Sequence, residues 1–286
     1  MDEFEGLEHL TRLEKLVIIG TQIKEIKGLE NFTRLHTLKI TRNLITEIKG
    51  LDTLTNLSTL NLSNNQITEI KGLENLKNLL WLKLGDNNFH NKDWPQNKIT
   101  KIKGLDSLVN LKELHIPFNA IAEISGLENL INLEMLVLND NKITEIEGLE
   151  SKPTLFYIHL FNNQITEIRG FDSLPELYLL TLNNNHIKEI KGLEKLTKLS
   201  KLDLSYNNIT EIKGLDTLNN LEELNLSHNQ VTEVNGIEFL EKLSLRPYGK
   251  IRKIDLSSNK ITEFRRLEGL HPLTEVKIDG NPIRKK

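Results

Sequence analysis

Apolar and polar positions along this chain follow two rhythms that return together every 22 residues. In residues 57–78, LSTLNLSNNQITEIKGLENLKN, the first part places Leu57, Leu60 and Leu62 with polar residues between them. Alternation at period two predicts a short strand whose leucines share one face. In the second part Ile67, Ile70, Leu73 and Leu76 recur every three residues around Gly72. That spacing predicts a return segment of irregular chain with a short helical turn. One period earlier stand Leu35, Leu38, Ile40, Asn43, Ile45, Ile48, Gly50 and Leu51, and one period later Leu79, Leu82 and Leu84. A fixed period in the 20–29-residue range, each period holding one strand, predicts a solenoid whose turns bury a core only by stacking.

The register extends over almost the whole chain. Residues 1–12 fit the second half of a turn and are expected to cap the first strand. Eleven turns run over residues 13–272, and residues 273–286 form a last partial turn, so the chain is expected to be one repeat domain over 1–286. Two turns are too long. Leu79 is followed by the next start only at Leu111, ten residues late, with an insertion near 88–97 that carries Phe89, His90, Trp94 and Pro95. Leu221 is followed by Ile251, eight residues late, with an insertion near 241–250 that carries Tyr248. Insertions in repeat proteins fall in loops on one face, often the binding face. Trp94 is therefore a candidate contact residue.

Each strand ends at an Asn, from Asn43 through Asn65 and Asn141 to Asn281, with Thr21 in its place in the first turn. An amide side chain both donates and accepts, so this ladder is expected to satisfy backbone groups inside the coil, as structure and not chemistry. A Glu column (Glu25, Glu47, Glu69) and a Lys/Arg column two residues on (Lys27, Lys49, Lys71) run beside the isoleucines. These read as a solvated face of weak ion pairs.

Composition narrows the classes further. The formal charge of −3 over 286 residues argues against a polyanion-binding surface. A hydrophobic share of 38% is low for a globule but fits the thin core of a solenoid. There is no Cys, which excludes disulfide caps. No apolar run approaches membrane-spanning length, and the acidic start MDEFEGLEHL does not read as a signal peptide. The expectation is a cytoplasmic or nuclear protein, monomeric alone, with a protein as partner and neither nucleic acid nor membrane. No phosphate loop, nucleophile elbow or metal-ligand spacing appears, so no enzyme activity, cofactor or metal is expected.

The pattern NxIxxIxGLxxLxxLxxLxL resembles the 22-residue leucine-rich repeat class typified by the intracellular regulatory subunit of protein phosphatase 1. Bacterial internalins carry similar repeats. The resemblance spans Phe4 to Ile283 and implies an α/β, right-handed leucine-rich repeat solenoid, a horseshoe with a concave parallel sheet. It also implies a partner protein gripped on that sheet by a scaffold or regulatory subunit, of a phosphatase or GTPase system. The alternative is an exported adhesin or host-interaction protein like the internalins.

The outward strand positions are where recognition would lie. Only 5% of the chain is aromatic, yet its middle turns collect large side chains there. Trp81, His115, Phe118, Met135, Val137, Tyr157, His159, Phe161 and Leu179 are expected to form one partner-binding surface, with Glu113 and Asp140 as its polar contacts.

Overall fold

The computed structural model describes residues 9–86, 95–234, 251–263, 270 and 272–283. The chain divides into two compact units, residues 1–143 and 144–286. Both insertions fall largely outside the described residues, Trp94 and Tyr248 included.

The first unit holds β1 (Lys15–Ile19), β2 (Thr37–Thr41), β3 (Thr59–Asn61), β4 (Trp81–Lys83), β5 (Glu113–His115) and β6 (Met135–Val137). They pair in parallel and in chain order, with Thr37 opposite Thr59 and Thr59 opposite Trp81. The second unit holds β7 (Tyr157–His159), β8 (Leu179–Thr181), β9 (Lys201–Asp203), β10 (Glu223–Asn225), β11 (Lys253–Asp255) and β12 (Glu275–Lys277). These pair the same way, Tyr157 opposite Leu179 and Leu179 opposite Lys201. Each connection needed to bring the next strand in parallel is the remainder of one repeat. The insertions do not disturb this register: Trp81 stands opposite Glu113 and Glu223 opposite Lys253.

Inside the turns between the two ends the leucines and isoleucines of the template are buried, as with Leu60, Leu62, Ile67, Ile70, Leu73 and Leu76, whereas Leu16 and Ile18 in the first turn are half-buried and Leu273 in the last is exposed. The expected helical turn is absent; the described residues contain no helix. Two successive tight turns replace it. Leu54 N–H donates to Leu51 C=O at 3.0 Å and Leu57 N–H to Leu54 C=O at 2.9 Å, which returns the chain in six residues while keeping three leucines inward. Ahead of this return the sequence has a Gly in each turn but the last full one, where Arg266 stands. Gly72 has φ +69°, and a Cβ there would lie 2.5 Å from Ile48 C=O of the preceding turn. One apolar site in this scheme is filled by a lysine. Lys152 takes the place of the middle leucine, with Leu155 N–H still donating to its carbonyl at 3.2 Å, and it is 1% exposed. Its Nζ donates to Glu150 C=O at 3.0 Å.

The Asn ladder is an interior hydrogen-bond spine. Asn65 Oδ1 accepts from Ile45 N–H at 3.2 Å, and its Nδ2 donates to Ile40 C=O at 2.8 Å and to Leu62 C=O at 3.0 Å. Each Asn thus ties its own turn to the one before. Thr21 cannot span that distance; its N–H and hydroxyl instead donate to Asn43 Oδ1. The chain reaches the ladder through a left-handed residue, with φ between 53° and 59° at Arg42, Asn64, Phe118, Asp140, Asn162, Asn184, Tyr206, His228 and Ser258. Asn and Asp tolerate this region, but Phe and Tyr rarely adopt it.

Candidate functional site

Strand geometry sends every second residue outward, and neighbouring strands about 4.8 Å apart shield these side chains on both flanks. The outward residues are accordingly half-buried in most strands. In the first unit Trp81 and Met135 occupy one outward column, and Glu113 stands between them. Glu113 Oε2 lies 3.1 Å from His115 Nε2, so the two form an internal pair on the strand face. Phe118 and Asp140 sit at left-handed positions past their strands, and Asn139 Nδ2 donates to Asp140 Oδ2 at 2.6 Å. Val137 departs from the expectation. At 2% exposure it offers a docked chain almost no surface, although its column neighbour His115 is half-buried.

The second unit carries Tyr157, His159, Phe161 and Leu179. Tyr157 and Leu179 are opposite each other in register, as are His159 and Thr181. His159 Nδ1 lies 3.1 Å from Thr181 Oγ1, and the His159 ring meets Phe161 edge-on at 6.4 Å. Burial pulls the His159 pKa below the ordinary imidazole value, which favours the neutral ring. Tyr157 is more open than its neighbours in the column, at 37% exposure, and meets Tyr178 edge-on at 6.2 Å and Phe156 at 6.4 Å. The expected single surface is thus carried by two sets of residues, one on each unit.

Phe156 and Tyr178 were not among the expected contacts. They precede their strands by one residue, a column in which most turns carry polar or charged groups, such as His36, Ser58, Lys112 and Glu222. Two aromatics there in consecutive turns were the available signal. A second unexpected pair is Tyr206 and His228, whose rings stack at 4.0 Å and 10°. Tyr206 is 53% exposed despite its left-handed backbone. Some acidic residues have a local duty instead. Asp203 Oδ1 accepts from Ser205 N–H at 2.9 Å and from its hydroxyl at 2.7 Å, and Asp255 does the same for Ser257.

The outer charge columns pair as expected. Lys71 Nζ lies 2.8 Å from Glu47, Lys49 3.7 Å from Glu25, and Arg169 bridges Glu145 and Glu147. The Lys71 hydrogen bond and charge hold the Glu47 pKa below its ordinary value. Among the described residues, no group of three or more His, Asp or Glu is arranged to hold a metal ion.

A family model described as leucine-rich repeats in two copies matches residues 109–151, 153–195 and 197–242, and a single leucine-rich repeat model matches 56–76. No curated protein matches the chain by sequence. Among solved structures, an internalin of Listeria monocytogenes is 26% identical over 98% of this chain and 89% of its own, with a TM-score of 0.60. Internalin C2 of the same species is 30% identical over 66% of this chain and 79% of its own, with a TM-score of 0.58. A leucine-rich repeat protein of Leptospira interrogans is 24% identical over 96% of this chain and 74% of its own; its TM-score of 0.78 speaks for the fold. These neighbours do not carry the expected likeness to the phosphatase regulatory subunit. The interior spine, the parallel strands in repeat order and the matched repeats agree: the chain belongs to the leucine-rich repeat proteins.

Proposed function

We propose that this chain is a protein-recognition module of the internalin kind, which takes a partner protein against the outward face of its strands. The observation that carries this is the open aromatic group of Phe156, Tyr157 and Tyr178 on the second unit. Exposed apolar groups of this sort mark interaction sites, and tyrosines bury large area at small entropic cost. Half-buried Trp81 and Met135 supply a second anchor on the first unit. The likeness to internalins favours an adhesin or host-interaction role over a regulatory subunit of a phosphatase or GTPase system. An adhesin acts outside the producing cell, so fractionation of that cell separates this reading from a cytoplasmic or nuclear one.

The test is capture of a partner on the wild-type chain, followed by calorimetry with variants. Tyr157→Ala and Trp81→Ala are expected to weaken binding by about 2 kcal/mol, the hot-spot range, while Thr59→Ala in the same column as Trp81 changes nothing measurable. Normal binding by both aromatic variants, with loss on Trp94→Ala, would place the site on the inserted loop instead.

A further inference from the structure

The lysines of the two surfaces differ in their partners. On the outer columns Lys49, Lys71 and Lys103 each lie within 4 Å of a Glu of the preceding turn. On the strand face of the first unit, Lys39 and Lys83 have no carboxylate partner among the described residues. They share one outward column, with Asn61 between them and His115 next after Lys83.

Lys83 also borders a groove of about 450 Å³ across the ends of β1 to β5, within the size range of ligand sites, roughly 300–1,000 Å³. Arg42, Lys83 and His115 line it, with Asn61 and Ser63 between them. Its depth comes from small residues. Ser63 turns its hydroxyl to Gly85 C=O at 2.7 Å, and a Cβ on Gly85 would lie 1.9 Å from Pro117 C=O. No side chain can therefore stand at Gly85, and the backbone itself forms that part of the wall. One carboxylate, Asp86, also lines the groove, two turns on from Arg42. Glu113 is held by His115. The lining's two cations, Arg42 and Lys83, outnumber its one carboxylate, which leaves the groove cationic.

We propose that this groove receives an acidic peptide segment of a partner protein, lying across the strands with a Glu or Asp carboxylate at Lys83. The proposal rests on the protein-recognition reading only in taking the ligand as a peptide; it needs none of the tyrosines of the second unit. Complementary charge at such a site sets register and speeds encounter.

The test uses the full chain and a fluorescein-labelled 12-residue peptide of alternating Glu and Gly, titrated by anisotropy at low and high salt. Binding is expected to weaken with salt. Lys83→Glu should lower the affinity about tenfold or more, and Lys83→Arg should retain it. Lys71→Glu on the outer column and Tyr157→Ala should leave it unchanged. Circular dichroism melts of each variant separate lost binding from lost folding. Absence of peptide binding, or an equal loss with Lys71→Glu, overturns the proposal. So does a single-stranded 12-nucleotide DNA that binds as tightly with the same Lys83 dependence, because the groove would then read polyanion charge. If a captured partner still depends on Tyr157 while the peptide ignores Lys83, the groove falls and the recognition module stands.

Discussion

The interior of a turn and its outward strand face are built from the same few residues of chain, yet they follow opposite rules. Inward, Leu60, Leu82 and Leu114 are interchangeable, and Asn65, Asn141 and Asn207 make the same hydrogen bonds at nearly the same distances. Outward, the matching positions read Thr59, Trp81, Glu113 and Met135 in four consecutive strands. Stacking explains the first rule: each turn completes the core of its neighbour, so a change in one interior position leaves two turns unsatisfied. No such constraint acts outward. The irregular face is free to carry recognition, and the regular interior is not.

The largest test of this contrast is to break the spine. Asn141 Oδ1 accepts from Ile121 N–H at 3.0 Å, and its Nδ2 donates to Ile116 C=O at 2.9 Å and to Leu138 C=O at 3.0 Å. Asn141→Ala leaves these groups buried without partners, which should cost roughly 1–3 kcal/mol. A urea denaturation midpoint equal to wild type would show that the groups find water instead, and the interior would lose its claim to rigidity.

Lys152 is where the interior breaks its own rule, and replacing it sharpens the comparison. The backbone around it keeps the second tight turn of its leucine counterparts, with Ser151 at φ 57° ahead of it where the counterparts are not left-handed, so Lys152→Leu restores the apolar core on that second turn. Replacing a buried ionisable group by an apolar side chain is often neutral or stabilising, and Leu is shorter than Lys, so it enters the same space without a clash. A gain of about 1 kcal/mol is expected, read as a rise in the denaturation midpoint. A loss of stability would mean that Lys152 organises its surroundings and is not simply tolerated.

These cases also show what could be read from the chain beforehand. The 22-residue period gives strand positions, register and spine, because all three are repeated and repetition is visible in letters. The tight turns in place of a helix were not visible, since leucines three apart suit either conformation. Val137 shows the limit on the strand face. Alternation assigns it outward, but whether neighbouring side chains cover it depends on packing that no spacing encodes. Phe156 and Tyr178 were missed because they stand in the column just before the strand, outside the alternating positions. Lys152 drew no expectation, because its place in the template is marked by a leucine that is not there.

A smaller effect is expected at His159, which stands on the outward face but is held partly within it. Its pKa in the folded chain is lowered by burial, below the value of about 6.5 expected when unfolded. The unfolded chain therefore takes up a proton first as pH falls through that value, and stability declines until the lower folded pKa is passed. Above the unfolded pKa the group has no effect. His159→Gln should remove this part of the acid sensitivity, so midpoints measured at pH 7.5 and 5.5 should lie closer together than in wild type. Identical pH dependence in the two proteins would mean that the ring titrates as if solvated.

The smallest effect is predicted for the outer columns, which are as regular as the spine but differ from it in environment. Lys71 is in contact with Glu47 at 2.8 Å, and each member of the pair shifts the other's pKa toward the charged form. Both side chains are nonetheless about half exposed. Water and salt screen such a pair, and holding two long side chains together offsets much of the attraction. Lys71→Ala should leave the denaturation midpoint unchanged within error at 0.15 M salt, and so should Lys49→Ala. Regularity alone would assign this ladder the same weight as the Asn spine, whereas burial assigns it almost none. A clear loss of stability in Lys71→Ala that disappears at 1 M salt would show the columns acting together as a network, and the contrast would then run between regular and irregular positions instead of between buried and exposed ones.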